Sequence, residues 1–362
     1  MNKPINLDPN KYANDPLAQK LLKKQGEIVK NAIDPTIICE DYADLPDDIK
    51  AGNNVFLEGE PQTGKTMAAI KTCYDLGLPC MVVNFSKNTR PSQWLAKETL
   101  NPNKGVAGDT RELILVKGPV AICAENGYAA IINEYTTAPA ESIQELLDIM
   151  DTTTDAFRLP DGSEIAKDEN FVMILTSNPN CAGNFEQNDA FLTRGVHYVL
   201  DDITEKGFLA VAKRNYPWLS DRYIKTAYKL CLTTITEAKT KTAKKISDGI
   251  RQMNYLMAAL EQGGNVSKEM FMRKATKAFI NPLYRKGYQL EQLTNFKSNP
   301  SVQSHLNEMF NEYTTSLKLK GKPIADIAKA QAQQQASQAQ TAAPEAGDDA
   351  DLLSKYGFGL PR

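Results

Sequence analysis

The sequence predicts an α/β fold with a five-stranded parallel sheet, and three observations support this prediction. Short apolar segments alternate with helical patterns, which is the order of elements in a doubly wound domain. The apolar segments are continuous rather than alternating in polarity, as expected of parallel strands that are covered on both faces. A glycine-rich segment follows the first of them. The predicted strands are Asn54–Leu57, Met81–Phe85, Ala129–Ile132, Phe171–Leu175 and Val196–Leu200.

Helical patterns precede and connect these strands. Leu17–Ile33 can hold a helix, and Thr66–Tyr74 consists of good helix formers. A further helix is predicted over residues 139–150, because Pro139 suits a first turn and four apolar residues follow at the i, i+3, i+4, i+7 spacing. These four residues are Ile143, Leu146, Leu147 and Met150.

After residue 203 the strand signal ends and the patterns are helical. Helices are predicted over Arg222–Lys241, Ile250–Glu261 and Ser267–Phe279. Gln331–Ala343 contains only Gln, Ala, Ser and Thr, which predicts a disordered linker, although an Ala/Gln tract can be transiently helical. The apolar segment Leu352–Leu360 is either a docking peptide or a frayed end. The predicted division is an N-terminal extension (1–34), an α/β core (35–203), a helical lid (204–285), a C-terminal helical extension (286–325) and a linker with a terminal peptide (326–362).

Composition argues against several classes of protein. The 362 residues include 42 basic and 44 acidic side chains, and a net charge of −2 gives no overall attraction to nucleic acid or to anionic membranes. No run of 18 apolar residues occurs, and the N-terminus lacks the apolar segment of a signal peptide, so a cytoplasmic location is expected. The six cysteines form no Cys-x-x-Cys pair and there are two histidines, which disfavours a zinc site.

Residues 59–66 match the G-x-x-x-x-G-K-[ST] pattern of a phosphate-binding loop. The glycines let successive backbone N–H groups point into one anion-sized hollow, and the following helix directs its positive end at the phosphates. A lysine adds charge at the β- and γ-phosphates, and the hydroxyl after it is a ligand for Mg²⁺. ATP with Mg²⁺ is therefore the predicted ligand. The predicted binding residues are Gly59, Glu60, Pro61, Gln62, Thr63, Gly64, Lys65 and Thr66.

Polar residues follow two of the predicted strands. Phosphoryl transfer to water needs one group beside the metal and another that orients the water. Glu134 is the candidate for polarising the water, and Asn133 stands where an aspartate is expected, which predicts weaker Mg²⁺ binding or slower turnover. Asn178 can donate and accept hydrogen bonds and is the candidate for contacting the γ-phosphate. The alternatives are a strand that merely ends in two polar residues and a turn asparagine before Pro179.

Together these residues resemble the AAA+ ATPases, and within them the MoxR group, which includes CbbQ/NirQ-type activators and the CobS chelatase subunit. The resemblance extends over residues 35–285, and it implies an αβα sandwich with a small helical lid. It depends on the phosphate loop, on Asn-Glu-Tyr135 and on the turn before Pro179. The hairpin Phe157–Gly162, and the segment Leu113–Gly118, which is similar to the insert in the second helix of this group, indicate the MoxR group.

The resemblance implies further site residues and partners. Arg194 lies where the family has an arginine finger that reaches the γ-phosphate of a neighbouring subunit, although Thr-Arg-Gly replaces the usual Asp-Arg-Phe. Arg251 is similar to the second sensor of the lid. These roles imply a homo-oligomeric ring, usually a hexamer, with ATP at the subunit boundary. No Asp-x-Ser-x-Ser motif occurs, so a von Willebrand-type partner domain would belong to another chain.

The features favour a ring-forming ATPase in which hydrolysis rotates the lid and moves the Phe157–Ile165 hairpin against a client protein. The client would be remodelled, activated or matured. A nucleic-acid motor is the first alternative, because four lysines form a basic strip in the lid. A nucleotide-gated scaffold with impaired hydrolysis is the second, because Asn133 is neutral and Gln62 stands where such loops often have glycine. The four lysines are Lys239, Lys241, Lys244 and Lys245.

Overall fold

The architecture is taken from a computed structural model of the chain. The structure describes residues 3–8, 10–61, 63–102, 104, 112–179, 183–236, 246, 248–262, 266–286 and 290–341. Its strands are β1 Val55–Gly59, β2 Cys80–Asn84, β3 Ala96–Leu100, β4 Leu113–Lys117, β5 Ala129–Asn133, β6 Ala156–Arg158, β7 Glu164–Ala166, β8 Val172–Ser177 and β9 Val196–Leu200. Its α-helices are α1 Pro16–Val29, α2 Pro35–Ile38, α3 Leu45–Lys50, α4 Lys65–Asp75, α5 Pro91–Trp94, α6 Pro119–Asn126, α7 Glu145–Met150, α8 Asp189–Leu192, α9 Glu205–Asn215, α10 Asp221–Thr236, α11 Asp248–Glu261, α12 Lys268–Ala275, α13 Leu290–Lys297, α14 Pro300–Ser316 and α15 Ile324–Thr341.

The predicted parallel sheet is confirmed. Its strand order is β2–β5–β8–β1–β9, and every neighbouring pair is parallel. Strands β1, β5 and β8 have neighbours on both sides and are almost entirely buried, which explains their continuous apolar sequence. Because the strands are parallel, their carboxyl ends meet at one edge of the sheet. The register places Asn84 beside Asn133 and Asn133 beside Thr176 at that edge.

The predicted N-terminal extension packs as part of the α/β core. Ile5 and Tyr12 are buried in the same apolar cluster as the sheet, and α1 packs against α4 and β2. The buried Gln25 of α1 donates from Nε2 to the Leu78 carbonyl at 3.1 Å and accepts the Cys80 N–H at its Oε1 at 3.2 Å. This side chain therefore occupies the outer edge of the sheet at the start of β2.

Two antiparallel strand pairs lie outside the five-stranded sheet. The predicted hairpin around residues 157–165 is confirmed, because β6 pairs with β7 and places Phe157 opposite Ile165. The segment Leu113–Gly118, interpreted as an insert, forms β4, which pairs with β3. The strand β3 was not predicted, because Ala96–Leu100 carries two exposed charged residues and has no continuous apolar run.

The helix predicted over residues 139–150 is wrong as a single element. Pro139 has extended backbone angles (φ −57°, ψ 143°) and precedes a 3₁₀ turn over Ala140–Ile143, which is followed by α7. The apolar side chains are nevertheless buried. A 3₁₀ turn also brings residues three apart onto one face, so spacing alone did not distinguish the two helix types.

The remaining helices form a second apolar cluster that runs from Ile203 to Ile327. It draws on helices of both the predicted lid and the predicted C-terminal extension. Helix α12 continues into a π-helical turn over Thr276–Ile280. Residues 324–341 form helix α15, so the first part of the predicted disordered linker is helical. Its buried Ile327 and the hydrogen bonds from the Gln331 amide to the Pro217 and Leu219 carbonyls fix it to the cluster.

Some features of the sequence analysis cannot be located in this structure. Gln62, the four lysines of the basic strip and the peptide Leu352–Leu360 lie outside the described residues. Among the helices that the structure describes, none combines the length and the apolar character needed to cross a bilayer.

Candidate nucleotide-binding site

The phosphate loop connects the end of β1 to the start of α4. Gly64 has φ +81°, a left-handed conformation that strains any residue with a Cβ atom. Gly59 is required for a different reason, because a Cβ there would lie 2.6 Å from the Leu200 carbonyl oxygen of β9. The two glycines therefore let the chain turn sharply, so that α4 begins at the carboxyl edge of the sheet.

Lys65 lies folded inside this loop. Its ammonium donates to the carbonyl oxygens of Gly59 and Glu60, both at 2.8 Å, and to Asn178 Oδ1 at 2.7 Å. The residue is 7% exposed. These three oxygens are neutral, so the charged oxygens of an anion that enters the loop would be stronger partners for the ammonium.

The loop is held from the N-terminal side. Tyr42 donates its hydroxyl hydrogen to the Thr63 carbonyl at 3.2 Å, and burial raises the pKa of Tyr42 well above its ordinary value, so the phenol stays a donor. Thr63 in turn donates to the Glu60 carbonyl at 2.9 Å. The Ile38 side chain lies close to Gly64. The loop is therefore shaped in part by contacts outside its own sequence pattern.

Asn133 lies at the centre of a neutral polar cluster. Its Oδ1 accepts hydrogen bonds from the Thr66 hydroxyl at 2.7 Å and the Thr176 hydroxyl at 3.1 Å. Its Nδ2 donates to Asn84 Oδ1 at 2.9 Å. Thr66 and Asn133, both expected near Mg²⁺, are thus in direct contact, while Asn84 and Thr176 were not expected in this cluster.

Glu134 and Asn178 form the second half of the site. The Asn178 amide donates from Nδ2 to Glu134 Oε1 at 2.5 Å, while its Oδ1 accepts from Lys65. Glu134 has φ 58° and is the one non-glycine residue with positive φ in the described part of the chain. A left-handed non-glycine residue costs roughly 1–3 kcal/mol and is often found at functional sites. The structure thus joins Lys65, Asn178 and Glu134 in one hydrogen-bonded chain.

The site fits Mg²⁺ only together with a nucleotide. Thr66 and Asn133 offer oxygen atoms, which are the donors that Mg²⁺ prefers, but both side chains are neutral. Among the described residues, no group of three or more His, Cys, Asp or Glu side chains is arranged to hold a metal. The phosphates of a bound nucleotide would supply negative charge to such an ion.

Arg194 lies at the opposite edge of the sheet. It precedes β9, whose first residue pairs with Val55 at the start of β1, and its carbonyl accepts a hydrogen bond from the Asn54 amide at 3.3 Å. The length of β1, about 13 Å, separates this edge from the phosphate loop. The guanidinium forms an ion pair with Asp151 at 2.7 Å. Hydrogen bonds from Thr153 and Arg194 hold the pKa of Asp151 well below its usual range. A role of Arg194 in a neighbouring subunit's site stays a prediction.

Arg251 lies on α11, in the helical part of the chain. It lines a cleft of about 780 Å³ between α11 and the helical segment 268–282, together with Lys274, Lys277 and the exposed Tyr255. Of the described residues that line the cleft, three are cationic and Asp248 is the one with a carboxylate. The role of Arg251 as a second sensor stays a prediction.

Two of the missed residues had a signal in the sequence. Asn84 ends the apolar segment of β2 just as Asn133 ends that of β5, so a comparison of strand ends could have found it. Glu58 is a charged residue within a buried parallel strand, which is unusual by itself. The contacts of Tyr42 and Thr176 carried no such signal, because both depend on distant packing.

Comparison with known proteins identifies the region that contains this site. Residues 54–195 match the sequence model of the AAA domain, dynein-related subfamily. Midasin from Giardia intestinalis is 25% identical over 153 residues, which cover 41% of this chain and 3% of midasin, so the match spans a small part of that protein. The crystal structure of a "putative ATPase" from Cytophaga hutchinsonii has 15% identity and a TM-score of 0.39, over 80% of this chain and 98% of that chain. The matched range 54–195 includes the phosphate loop, the polar strand ends and Arg194, and it ends before the second apolar cluster.

Proposed function

We propose, from the premise that this chain carries an AAA ATPase domain over residues 54–195, that it binds ATP with Mg²⁺ and hydrolyses it to remodel or activate a partner protein. The observation that carries the proposal is the hydrogen-bonded chain from Lys65 through Asn178 to Glu134. In this proposal Lys65 binds phosphate, Asn178 senses the γ-phosphate, and Glu134 activates the attacking water.

Binding follows from the loop and from α4. The backbone N–H groups at the start of α4 have no partner within the helix, and the helix dipole favours negative charge there. Lys65 exchanges its neutral acceptors for the β- and γ-phosphates, which are stronger partners for an ammonium. Mg²⁺, when bound with the nucleotide, neutralises part of the charge on these phosphates, and Thr66 and Asn133 are the residues that would hold it.

Hydrolysis follows from Glu134 and Asn178. A carboxylate at the strand end accepts a hydrogen bond from a water molecule and takes its proton as the oxygen attacks the γ-phosphorus and the bond to the bridging oxygen breaks. Asn178 holds Glu134 through its Nδ2, and its Oδ1 is released when Lys65 turns to the phosphates. Once Lys65 has left, Asn178 is free to donate the second hydrogen of Nδ2 to a γ-phosphate oxygen.

The finer parts of the proposal concern assembly and output. We propose a MoxR-type ring, a hexamer, in which Arg194 leaves Asp151 and reaches the γ-phosphate of the neighbouring subunit. In this proposal Arg251, as the second sensor, couples the change from ATP to ADP to a movement of the helical lid. We propose that the two hairpins outside the main sheet, β3–β4 and β6–β7, contact the client, and that a von Willebrand-type protein in another chain is the adaptor.

Two substitutions and their controls test the core of the proposal. Glu134→Gln keeps an oxygen for Asn178 but loses the base, so ATP should still bind while turnover falls by about 100-fold or more. Lys65→Ala should abolish binding itself. Glu27→Gln and Lys23→Ala remove the same charges from exposed positions on α1 and should change neither quantity. ATP binding by calorimetry and phosphate release are the measurements. A wild-type chain that does not bind Mg²⁺-ATP would refute the proposal.

A nucleotide-gated scaffold is the second candidate, and the neutral cluster around Asn133 favours it. Both functions require ATP binding, but they differ in turnover. Ordered assembly on ATP addition with no phosphate release above background would favour the scaffold. Phosphate release that increases with assembly would favour the ATPase.

A further inference from the structure

Glu58 is a carboxylate that the proposed ATPase cycle does not use. It lies in β1 directly before the phosphate loop, and its side chain is 19% exposed. It shares a face of the strand with Phe56, since side chains two residues apart point to the same side. A charged group in a buried parallel strand is costly unless its oxygens have partners.

The partners of Glu58 are three side chains on three other segments. Its Oε1 accepts hydrogen bonds from the Tyr135 hydroxyl and, at 3.4 Å, from the Ser177 hydroxyl. Its Oε2 lies 3.3 Å from His197 Nδ1 on β9. Burial and the bond to Glu58 raise the pKa of Tyr135 well above its ordinary value, so this hydroxyl stays a donor.

Each partner is adjacent or close in sequence to a residue with a proposed role in ATP hydrolysis. Tyr135 directly follows Glu134, and Ser177 directly precedes Asn178. His197 Nε2 lies 2.6 Å from the Leu192 carbonyl, in the segment that leads to Arg194. A carbonyl only accepts, so Nε2 carries a proton.

Aromatic packing joins the same segments. The Phe56 ring stacks on His197 with centroids 4.4 Å apart and planes 9° apart. It also meets Tyr135 and Phe191 edge-on, each at 5.5 Å, and Tyr135 and Phe191 are themselves 5.7 Å apart. Phe191 belongs to α8, three residues before Arg194. A displacement of α8 would therefore reach Tyr135 both through this packing and through Glu58.

Glu134 is sensitive to such a displacement. Its left-handed backbone is strained and persists only because its surroundings hold it. Tyr135, its neighbour, is fully buried and is anchored to Glu58. The orientation of the Glu134 carboxylate thus depends on Glu58, which lies in the strand that leads into the phosphate loop.

We infer that Glu58 is a positioning residue that links the segment bearing Arg194 to Glu134 and Asn178. The inference rests on the proposed ATPase function and adds a route by which contact with a neighbouring subunit adjusts the water-activating residue. Glu58 itself touches neither nucleotide nor water in this role.

Three variants separate the link from general stability. Tyr135→Phe removes one hydroxyl and should lower kcat about tenfold or more, with ATP affinity changed less than about threefold. Glu58→Ala should do the same. Glu58→Gln keeps an oxygen for Tyr135 and an N–H for His197 Nδ1, so it should retain kcat within about threefold of wild type. Tyr198→Phe is the matched control, because it removes another tyrosine–carboxylate bond, to Asp48, and should change neither quantity.

A double-mutant cycle tests the connection to Arg194. If Arg194 acts partly through Glu58, Arg194→Ala should cost clearly less in kcat in the Glu58→Ala background than in wild type. Additive effects would overturn the link. Equal losses of ATP affinity and kcat in Tyr135→Phe, or a wild-type kcat in that variant, would overturn the positioning role. If the wild-type chain itself shows no turnover, the ATPase proposal is refuted. The same kcat measurements therefore distinguish that outcome from failure of the positioning role.

Discussion

Replacement of Asn133 by aspartate would restore a charge beside the proposed Mg²⁺ position. In the structure Asn133 Oδ1 accepts from Thr66 and Thr176, and an aspartate keeps both of these bonds. It loses the N–H that Asn133 donates to Asn84. Asn84 is exposed and can turn its own amide so that its N–H₂ group faces the new carboxylate. The substitution should therefore be tolerated without nucleotide.

The size of the effect follows from the difference between neutral and charged acceptors. A neutral hydrogen bond contributes about 0.5–1.5 kcal/mol, and one to a charged group about 1.5–3 kcal/mol. One contact from residue 133 to a metal-bound water would therefore gain about 1–1.5 kcal/mol. Since about 1.4 kcal/mol corresponds to a factor of ten, the Mg²⁺ concentration for half-maximal rate should fall about five- to tenfold.

The assay is steady-state phosphate release at saturating ATP as free Mg²⁺ is varied. Asn133→Asp should shift the Mg²⁺ midpoint downward and raise turnover at low Mg²⁺. Asn88→Asp adds the same charge to an exposed loop residue and serves as the control. If Asn133→Asp binds ATP normally and leaves the Mg²⁺ midpoint and the rate unchanged or lower, Asn133 is not the metal partner.

Two further predictions concern stability. Gly64→Ala should lower the free energy of unfolding by about 1–2 kcal/mol because of the strain at φ +81°, so the melting temperature should fall by several degrees and ATP binding should weaken. Gly77→Ala is the control: at φ +67°, with no neighbour within 4 Å, it should lower the melting temperature alone. Equal effects of the two substitutions on ATP binding would contradict this prediction. The pKa of Asp151 is lowered by Thr153 and Arg194, so the folded state binds the proton less readily than the unfolded chain. This contribution is present above the ordinary Asp value of about 4 and is lost as the pH falls below it towards the folded pKa. Asp151→Asn should thus lower the melting temperature at pH 7 more than at pH 3, and an equal loss at both values would refute the assignment.

The sheet could be predicted because its signal is local. Five continuous apolar segments and one glycine-rich loop fix the strand type and the end at which the site lies. For the same reason Thr66 and Asn133 could both be expected at this edge, since each comes after a predicted strand. In the structure the Thr66 hydroxyl donates to Asn133 Oδ1 at 2.7 Å.

What could not be predicted depends on contacts between distant residues. The ion pair of Arg194 with Asp151 joins two loops 43 positions apart, and no local pattern indicates it. Helix α15 has the composition of a linker, but packing of Ile327 and the Gln331 hydrogen bonds stabilise it. Helix propensity and tertiary contacts outweigh low sequence complexity there.

The Gln25 amide has a consequence for how copies of this chain can associate. An open strand edge offers N–H and C=O groups to any extended segment, including the same strand of another copy. By donating to Leu78 and accepting from Cys80, Gln25 presents the pairing pattern of one peptide unit and ends the ladder there. An extended segment of another copy that approached the start of β2 would have to displace Gln25 before it could pair with the backbone there.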